Sequence, residues 1–434
     1  MDEAAQNKTR LSWVAKVFLA VFFIVLFEGA LRKWLFLPTM PLMLLRDSLV
    51  LIAVIYGIGT SSYRFRAVPE ILMTVWSVIV LIWAMLQYIF QIMPFPVLFI
   101  GIRSWLFYLW FAVLFARKAS SYDITVIIKT VLATLIPMVS LAVYQHLSPV
   151  NAFINRQVEG KVFTVTSNIV RATGTFSFTI GYTAYMAMVM PLVFWLMTDG
   201  TKFFKNYSYR MLLIGSYFLG VLVSGSRGAL FLTIGVMGVW IIVVIVSGTY
   251  KKVSSKTLYL LPLMLAVGIY LLIPILQRAL EANTTRIELA SQSEDLSDRI
   301  VNTFLGTDKT WENFDIAGRG IGAASNAAGA FMHTSGEGFV MGENEIDRIL
   351  NEGGILGFLF EFLKIAVALT GLLISFKILR REKIALPLLF WVYLTIELLT
   401  ATLTGQITIH GIVFLSLGIG WSLLRKPVRK LYAS

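Results

Sequence analysis

Long apolar runs separated by short polar segments make up most of this chain. Each run is about 20 residues long, which is the length that an α-helix needs to cross the hydrocarbon core of a bilayer. The runs occupy residues 13–31, 41–59, 70–93, 96–116, 123–146, 177–198, 208–224, 228–247, 257–276, 346–376, 384–403 and 406–424. The pattern predicts an all-α fold, a polytopic bundle of about twelve transmembrane helices.

The composition supports a membrane protein. Of the 434 residues, 57% are hydrophobic and 14% are charged, whereas soluble domains are about one quarter charged. The chain has no cysteine and only three histidines, so we expect no disulfide, no Cys/His metal centre and no cofactor. The polar N-terminus leads into an apolar run without a small-residue cleavage site, which favours a retained tail over a signal peptide.

The basic residues predict the orientation of the bundle. Of the 37 Lys and Arg, 21 lie in the N-terminal tail, in every second loop after it and in the C-terminal tail. Loops rich in Lys and Arg face the cytoplasm in multi-pass membrane proteins. The distribution therefore predicts a multi-pass membrane protein with both termini in the cytoplasm.

Fourteen further cations, most of them arginine, fall on the side that this rule should deplete. They contribute to the net charge of +13 and are Arg32, Lys33, Arg46, Arg103, Arg156, Lys161, Arg171, Arg227, Arg278, Arg286, Arg299, Lys309, Arg319 and Arg348. The planar guanidinium binds phosphate or carboxylate through two parallel hydrogen bonds, so these arginines point to an anionic ligand such as pyrophosphate. Ion pairs with outer acids such as Glu28 and Asp47 are the simpler alternative.

One predicted connection is long. Residues 277–345 separate the ninth run from the tenth, which divides the chain into nine spans at 1–276, an extracytoplasmic loop at 277–345 and three spans at 346–434. Apolar residues between Ile287 and Leu305 recur at helical spacing, which predicts an amphipathic helix at the bilayer surface. A structureless loop of this length is uncommon without a function.

Several short segments resemble the O-antigen ligase and polymerase family. Residues 171–176 read RATGTF and are similar to the family's R-x-x-G-T-F, and residues 224–229 read SGSRGA and are similar to its S-x-S-R-G-A. Further segments of the likeness are Asp298-Arg299, GRGIG at 318–322, Glu343-Asn344 and LNEGGILG at 350–357. The resemblance covers about residues 165–360.

The resemblance implies an inner-membrane glycosyltransferase. Such enzymes transfer a glycan from undecaprenyl pyrophosphate to an acceptor sugar at the outer face of the membrane, as an O-antigen or exopolysaccharide polymerase or ligase. We expect an inverting, metal-independent reaction in which arginines stabilise the pyrophosphate. The family has histidine where this chain has Glu343, which leaves the identity of the acceptor open.

The predicted site combines these motifs with the outward cations. Catalytic roles are predicted for Arg227, Glu343 and His333, and substrate-binding roles for Arg171, Arg299, Arg319, Asn344, Arg32 and Arg46. Arg227 lies at a Gly/Ser turn that opens a helix, where backbone amides also attract anions. The expected partners are the undecaprenyl-pyrophosphate-linked glycan, an acceptor glycan, membrane lipid and polysaccharide export or chain-length proteins, with no nucleic acid.

Other interpretations remain open at this point. Residues 224–229 suit close helix packing, residues 352–357 suit the first turn of a helix, and Arg171 and Arg32 suit anchoring at the membrane interface. About twelve spans also suit a secondary transporter or flippase of an anionic or lipid-linked solute, although no inverted repeat stands out. Lys364 and Glu361 are expected to form a structural pair inside a span.

Overall fold

The computed structural model describes residues 10–91, 94–158, 162, 164–166, 169–198, 203–204, 206–248, 277, 296–332, 342 and 344–425. Helices make up most of these residues, and a two-stranded antiparallel hairpin precedes the helix that begins at Thr179. Apart from this hairpin, the predicted all-α fold class is confirmed for the described residues.

The elements follow one another in chain order. The hairpin consists of β1 (Thr164–Thr166) and β2 (Ile169–Val170). The helices are α1 (Trp13–Trp34), α2 (Thr39–Gly59), α3 (Val68–Gln91), α4 (Phe95–Lys118, with a π-helical turn at Arg103–Phe107), α5 (Ser121–Leu147), α6 (Thr179–Leu196), α7 (Tyr207–Val223), α8 (Arg227–Ser247), α9 (Leu296–Leu305), α10 (Asp308–Glu312), α11 (Gly329–Met332), α12 (Glu345–Gly353), α13 (Ile355–Glu382), α14 (Leu386–Thr400) and α15 (Ile407–Arg425).

Most of the long helices have the length and composition of membrane spans. Within the described ranges, nine helices are long and apolar enough to cross a bilayer, and α7 and α14 are shorter apolar helices. These helices fall on eleven of the predicted runs, and the run at 257–276 lies outside the described residues. The count of twelve spans therefore stays a prediction.

The long helix of the tenth apolar run begins at Ile355, later than the sequence pattern predicts. The apolar run at 346–376 is divided between the short helix α12 and the long helix α13. Between them, Gly354 has φ +55° and ψ −122°, a conformation open to glycine because it lacks a Cβ. A Cβ there would lie 2.1 Å from the Ile316 carbonyl oxygen, and that same oxygen accepts the Ile355 N–H at 2.9 Å.

The helices divide into a buried centre and an exposed rim. In α6, 89% of the span is buried, whereas only 22% is buried in the spans of α3 and α8. A helix that is apolar all round and buried lies in the core of a bundle, and apolar side chains on the rim suit contact with lipid. The helix α6 therefore lies at the centre of the described part of the bundle.

Capping side chains fix where helices begin and connect neighbouring helices. Ser120 and Asp123 form a reciprocal capping box at the start of α5. Asp123 also accepts the backbone N–H of Ser12 at 2.9 Å, which joins the start of α1 to α5. Such caps satisfy amide groups that the first turn of a helix leaves without partners.

The described part of the predicted long loop contains three short helices. Helix α9 confirms helical structure at the C-terminal end of the predicted amphipathic stretch, and Val301, Phe304 and Leu305 are exposed on it. The rest of that stretch, from Ile287 to Asp295, lies outside the described residues. Contact of α9 with a bilayer surface stays a prediction.

Candidate functional site

The RATGTF segment crosses one end of the bundle just before α6. Gln145 on α5 accepts the backbone N–H groups of Thr173 and Gly174 at 3.1 and 2.8 Å. Lys33 on α1 donates to the Thr173 hydroxyl at 2.9 Å and to the Gly174 carbonyl at 2.7 Å. These buried hydrogen bonds fix the segment between α1 and α5, and thereby fix the position of Arg171 at its start.

The SGSRGA segment forms a tight turn between α7 and α8. Gly225 has φ +58° in the left-handed region, and the Ser224 hydroxyl accepts the Ser226 N–H at 3.1 Å. The Ser226 hydroxyl caps α8 by accepting the Ala229 N–H at 3.4 Å. Arg227 is the first residue of this 21-residue helix, where the amide groups of the first turn create positive potential.

These two segments line one cavity of about 540 Å³. Its lining residues come from the segment before α6, the first half of α6, the start of α8, the end of α14 with the segment after it, and the first turn of α15: Arg171, Thr179, Ile180, Thr183, Ala184, Ala187, Ser226, Arg227, Gly228, Ala229, Leu232, Ile396, Glu397, Thr400, Ala401, Thr402 and Ile409. The structure thus brings together Arg171 and Arg227, two predicted site residues that are 56 positions apart in the sequence.

Arg227 is positioned to bind a ligand in this cavity. Its side chain is half-buried, and within the described residues the structure gives its guanidinium no hydrogen bond or ion pair. Arginine and the free amides of a helix N-terminus both favour phosphate oxygens. The cavity can therefore accept an anionic group next to α8.

Glu397 is a functional candidate that the sequence analysis missed. It lies on α14, is 9% exposed and lines the cavity with both arginines. The sequence did carry a signal, because Glu397 is the single charged residue in the apolar helix Leu386–Thr400. An ionisable residue at membrane depth is costly and is a functional candidate by default.

Arg46, which was predicted to bind substrate, belongs with Arg103 to a buried cluster of ion pairs outside the cavity. Arg46 is 0% exposed and lies 3.4 Å from both Glu28 and Asp47. Arg103 Nη1 lies 2.8 Å from Asp47 Oδ2, and the Tyr108 hydroxyl donates to Asp47 Oδ1 at 2.8 Å. These two arginines therefore pair with the acids Glu28 and Asp47, which was the simpler of the two interpretations of the outward cations. The cluster does not line the cavity.

Arg32 lies beside the RATGTF segment without lining the cavity. Its Nη1 donates to the Ser177 hydroxyl at 3.2 Å and lies 3.9 Å from Glu28. The predicted Lys364–Glu361 pair is confirmed at 2.7 Å. Arg32 therefore connects α1 with the segment before α6, whereas the Lys364–Glu361 pair lies within α13.

The GRGIG segment packs against the end of α12. The backbone N–H of Arg319 donates to the Asn351 carbonyl at 2.7 Å, and that of Gly320 donates to the Glu352 carbonyl at 3.2 Å. The Arg319 side chain is exposed and does not line the cavity. Residues 318–322 therefore lie against residues 350–357, whereas the Arg319 side chain stays outside the cavity.

Asn344 caps α12. It forms a reciprocal capping box with Asp347, and its amide donates to the Asn302 carbonyl at 3.0 Å. Among the remaining predicted residues, Glu343 and His333 lie outside the described residues. Arg299 lies on α9, and its side chain is likewise outside what the structure describes.

Helix α12 carries two buried acids, Glu345 and Glu352, whose pKa values are raised. Burial raises the pKa of Glu345 to about 8 and that of Glu352 to about 7. Glu345 accepts the Thr404 N–H at 3.0 Å, and Glu352 accepts the Trp105 indole N–H at 2.9 Å. The contact with Thr404 attaches α12 to the segment between α14 and α15, next to Thr402 in the cavity wall.

Arg348 strengthens this attachment. Its Nη1 donates to the Ala324 carbonyl at 2.7 Å and to the Asn326 side chain at 3.0 Å, while the Asn326 N–H donates to the Gly405 carbonyl at 3.1 Å. Arg348 is buried in this position, so its role is to join α12 and the 324–326 turn to the end of the bundle.

Comparisons with known proteins give no match: no family model matches the chain, and no curated protein matches it. Function is therefore inferred from the cavity and from the motifs that line it.

Proposed function

We propose that the protein transfers a glycan from an undecaprenyl-pyrophosphate carrier to an acceptor sugar at the outer face of a bacterial inner membrane. In this proposal it is an inverting, metal-independent glycosyltransferase, an O-antigen or exopolysaccharide polymerase or ligase. The observation that carries the proposal is the common cavity of Arg171 and Arg227, because each residue belongs to a different segment of the family resemblance.

The cavity suits the chemistry of a lipid-linked donor. The donor already contains a good leaving group, so the protein has to bind the pyrophosphate, stabilise its developing charge and orient the acceptor hydroxyl. Arg227 supplies a guanidinium with no hydrogen bond or ion pair in the described part of the chain, and the first turn of α8 adds amide N–H groups. Arg171 adds a second positive charge to the same cavity.

The position of the cavity agrees with the predicted topology. It lies where α6 and α8 begin and where α14 ends. The distribution of Lys and Arg predicts that these helix ends face away from the cytoplasm. A donor with its lipid in the bilayer and its glycan outside would meet the cavity at this level.

Reconstitution tests the proposal. Purified protein in proteoliposomes, supplied with a lipid-linked repeat unit and an acceptor glycan, is expected to form a longer glycan and release undecaprenyl pyrophosphate. R227A is expected to lower the rate at least about 100-fold, since loss of one preorganised donor group costs about 10² to 10³ in rate. Arg66 is exposed and lies outside the cavity, so R66A is the matched control and should keep the wild-type rate.

The same preparation tests the transporter alternative. Movement of a lipid-linked or anionic solute across the bilayer, without formation of a new glycosidic bond, would support transport and contradict the proposal. A rate for R227A equal to that of the wild type would contradict the assignment of the cavity.

A further inference from the structure

Almost all buried acids among the described residues have hydrogen-bond or ion-pair partners. Asp47 accepts from Arg103 and Tyr108, Glu352 from Trp105, and Glu345 from Thr404. Glu28, Glu70, Asp123 and Asp347 likewise have hydrogen-bond or ion-pair partners. Burial of a carboxylate is costly unless such partners compensate it.

Glu397 differs from these acids. It is 9% exposed on an apolar helix, and in the described part of the chain the structure gives its carboxylate no hydrogen bond or ion pair. It forms an ion pair with neither Arg171 nor Arg227, although all three line the same cavity. The Glu397 carboxylate is therefore available to a ligand in the cavity in which we place the donor.

A hydroxyl in the same cavity also has no hydrogen-bond partner among the described residues. Thr402 lines the cavity, and its Oγ1 is buried without a hydrogen-bond partner among the described residues. A buried hydroxyl of this kind is costly unless a ligand or water satisfies it. Glu397 and Thr402 thus form a polar wall on the α14 side, and the arginines provide positive charge on the α6 and α8 sides.

On this geometry, and resting on the proposed function, we propose that Glu397 is the catalytic base that activates the acceptor hydroxyl. The hydroxyl oxygen attacks the anomeric carbon of the donor glycan, and the bond from that carbon to the pyrophosphate oxygen breaks. The bonding pair leaves with the pyrophosphate, and the hydroxyl proton passes to the Glu397 carboxylate and then to water. Thr402 orients the acceptor by a hydrogen bond to a sugar hydroxyl.

This inference moves the base from the long loop to the membrane bundle. The sequence analysis predicts Glu343 or His333 for the role, and Glu397 provides a carboxylate within the arginine cavity itself. Arg171 and Arg227 line the cavity with it, and Tyr393 precedes it by one helical turn on α14.

Kinetics of E397Q and E397D in the reconstituted transfer assay test the inference. We expect E397Q to lower kcat by about 10² to 10⁴, the usual contribution of a general base, with KM for the donor unchanged within about threefold. The acidic limb of the pH–rate profile should disappear in E397Q and persist in E397D, which should also recover part of kcat. E397Q should unfold no earlier than the wild type, since it removes a buried charge without leaving a partner unpaired.

Three results would overturn the assignment of Glu397. The first is a kcat of E397Q within threefold of the wild type while R227A stays inactive, which would leave the proposed function standing. The second is loss of undecaprenyl pyrophosphate binding in E397Q to the extent seen in R227A, which would make Glu397 a counter-ion. The third is loss of the acidic limb in E343Q or H333A while E397Q retains it. Absence of transfer by the wild type would instead refute the proposed function.

Discussion

Removal of the charge on Asp47 should destabilise the bundle strongly. The D47N substitution keeps the shape of the side chain and leaves Arg46 and Arg103, which are 0% and 1% exposed, without their shared carboxylate. Arg46 then keeps the Glu28 carboxylate and the Ile407 carbonyl, each at 3.4 Å, and Arg103 loses its 2.8 Å ion pair. Breaking a buried ion pair by removal of one partner costs about 3–5 kcal/mol, because an uncompensated charge stays buried.

The free energy of unfolding in mixed detergent, followed by tryptophan fluorescence, measures this effect. We expect D47N to lose about 3–5 kcal/mol, whereas D308N should change by less than about 0.5 kcal/mol because Asp308 is exposed at the start of α10. A double-mutant cycle of D47N with R103M should give a coupling energy above about 1 kcal/mol. A loss below about 1 kcal/mol in D47N would refute the view that these outward arginines are structural.

Three further predictions concern the helix break, the buried acids and the topology. G354A should destabilise the fold by more than about 1 kcal/mol, since a Cβ would lie 2.1 Å from a backbone oxygen, whereas G215A has open space and should be neutral or slightly stabilising; chemical unfolding of the pair checks this. Stability should fall as pH rises from 5 to 8, because burial raises the pKa of Glu352 from 4.5 to about 7 and that of Glu345 to about 8, so the folded chain holds protons that the unfolded chain releases. Melting temperatures should show a shallower fall in E352Q, and an identical slope would contradict the protonation of Glu352. Reporter fusions at either terminus should be active only in the cytoplasm, and a periplasmic signal from one terminus would contradict the predicted orientation.

The sequence was sufficient to predict the membrane helices because a lipid environment leaves few choices. A backbone that crosses hydrocarbon must satisfy its own hydrogen bonds, so a long apolar run is a helix. The division of the tenth run at Gly354 was not predicted, although residues 352–357 were compatible with the first turn of a helix and α13 does begin at Ile355. Only the contact with the Ile316 carbonyl requires a glycine conformation at this position.

The candidate site was predictable in part. The motifs around Arg171 and Arg227 pointed to two sides of the same cavity. The roles of Arg46 and Arg103 were not predictable from spacing, because Asp47 and Arg103 are 56 residues apart and lie on different helices. Glu397 was visible as a lone acid in an apolar helix, but only the packing of α14 against α6 and α8 places it in the cavity.

Binding of undecaprenyl pyrophosphate to the purified protein in nanodiscs tests the central claim most directly. Hydrogen bonds to charged groups contribute about 1.5–3 kcal/mol each, so the Kd of R227A should rise about 10- to 150-fold, that of R227K should rise less, and that of R66A should match the wild type. Equal Kd values for R227A and the wild type would contradict a pyrophosphate site in the cavity that Arg171 and Arg227 share.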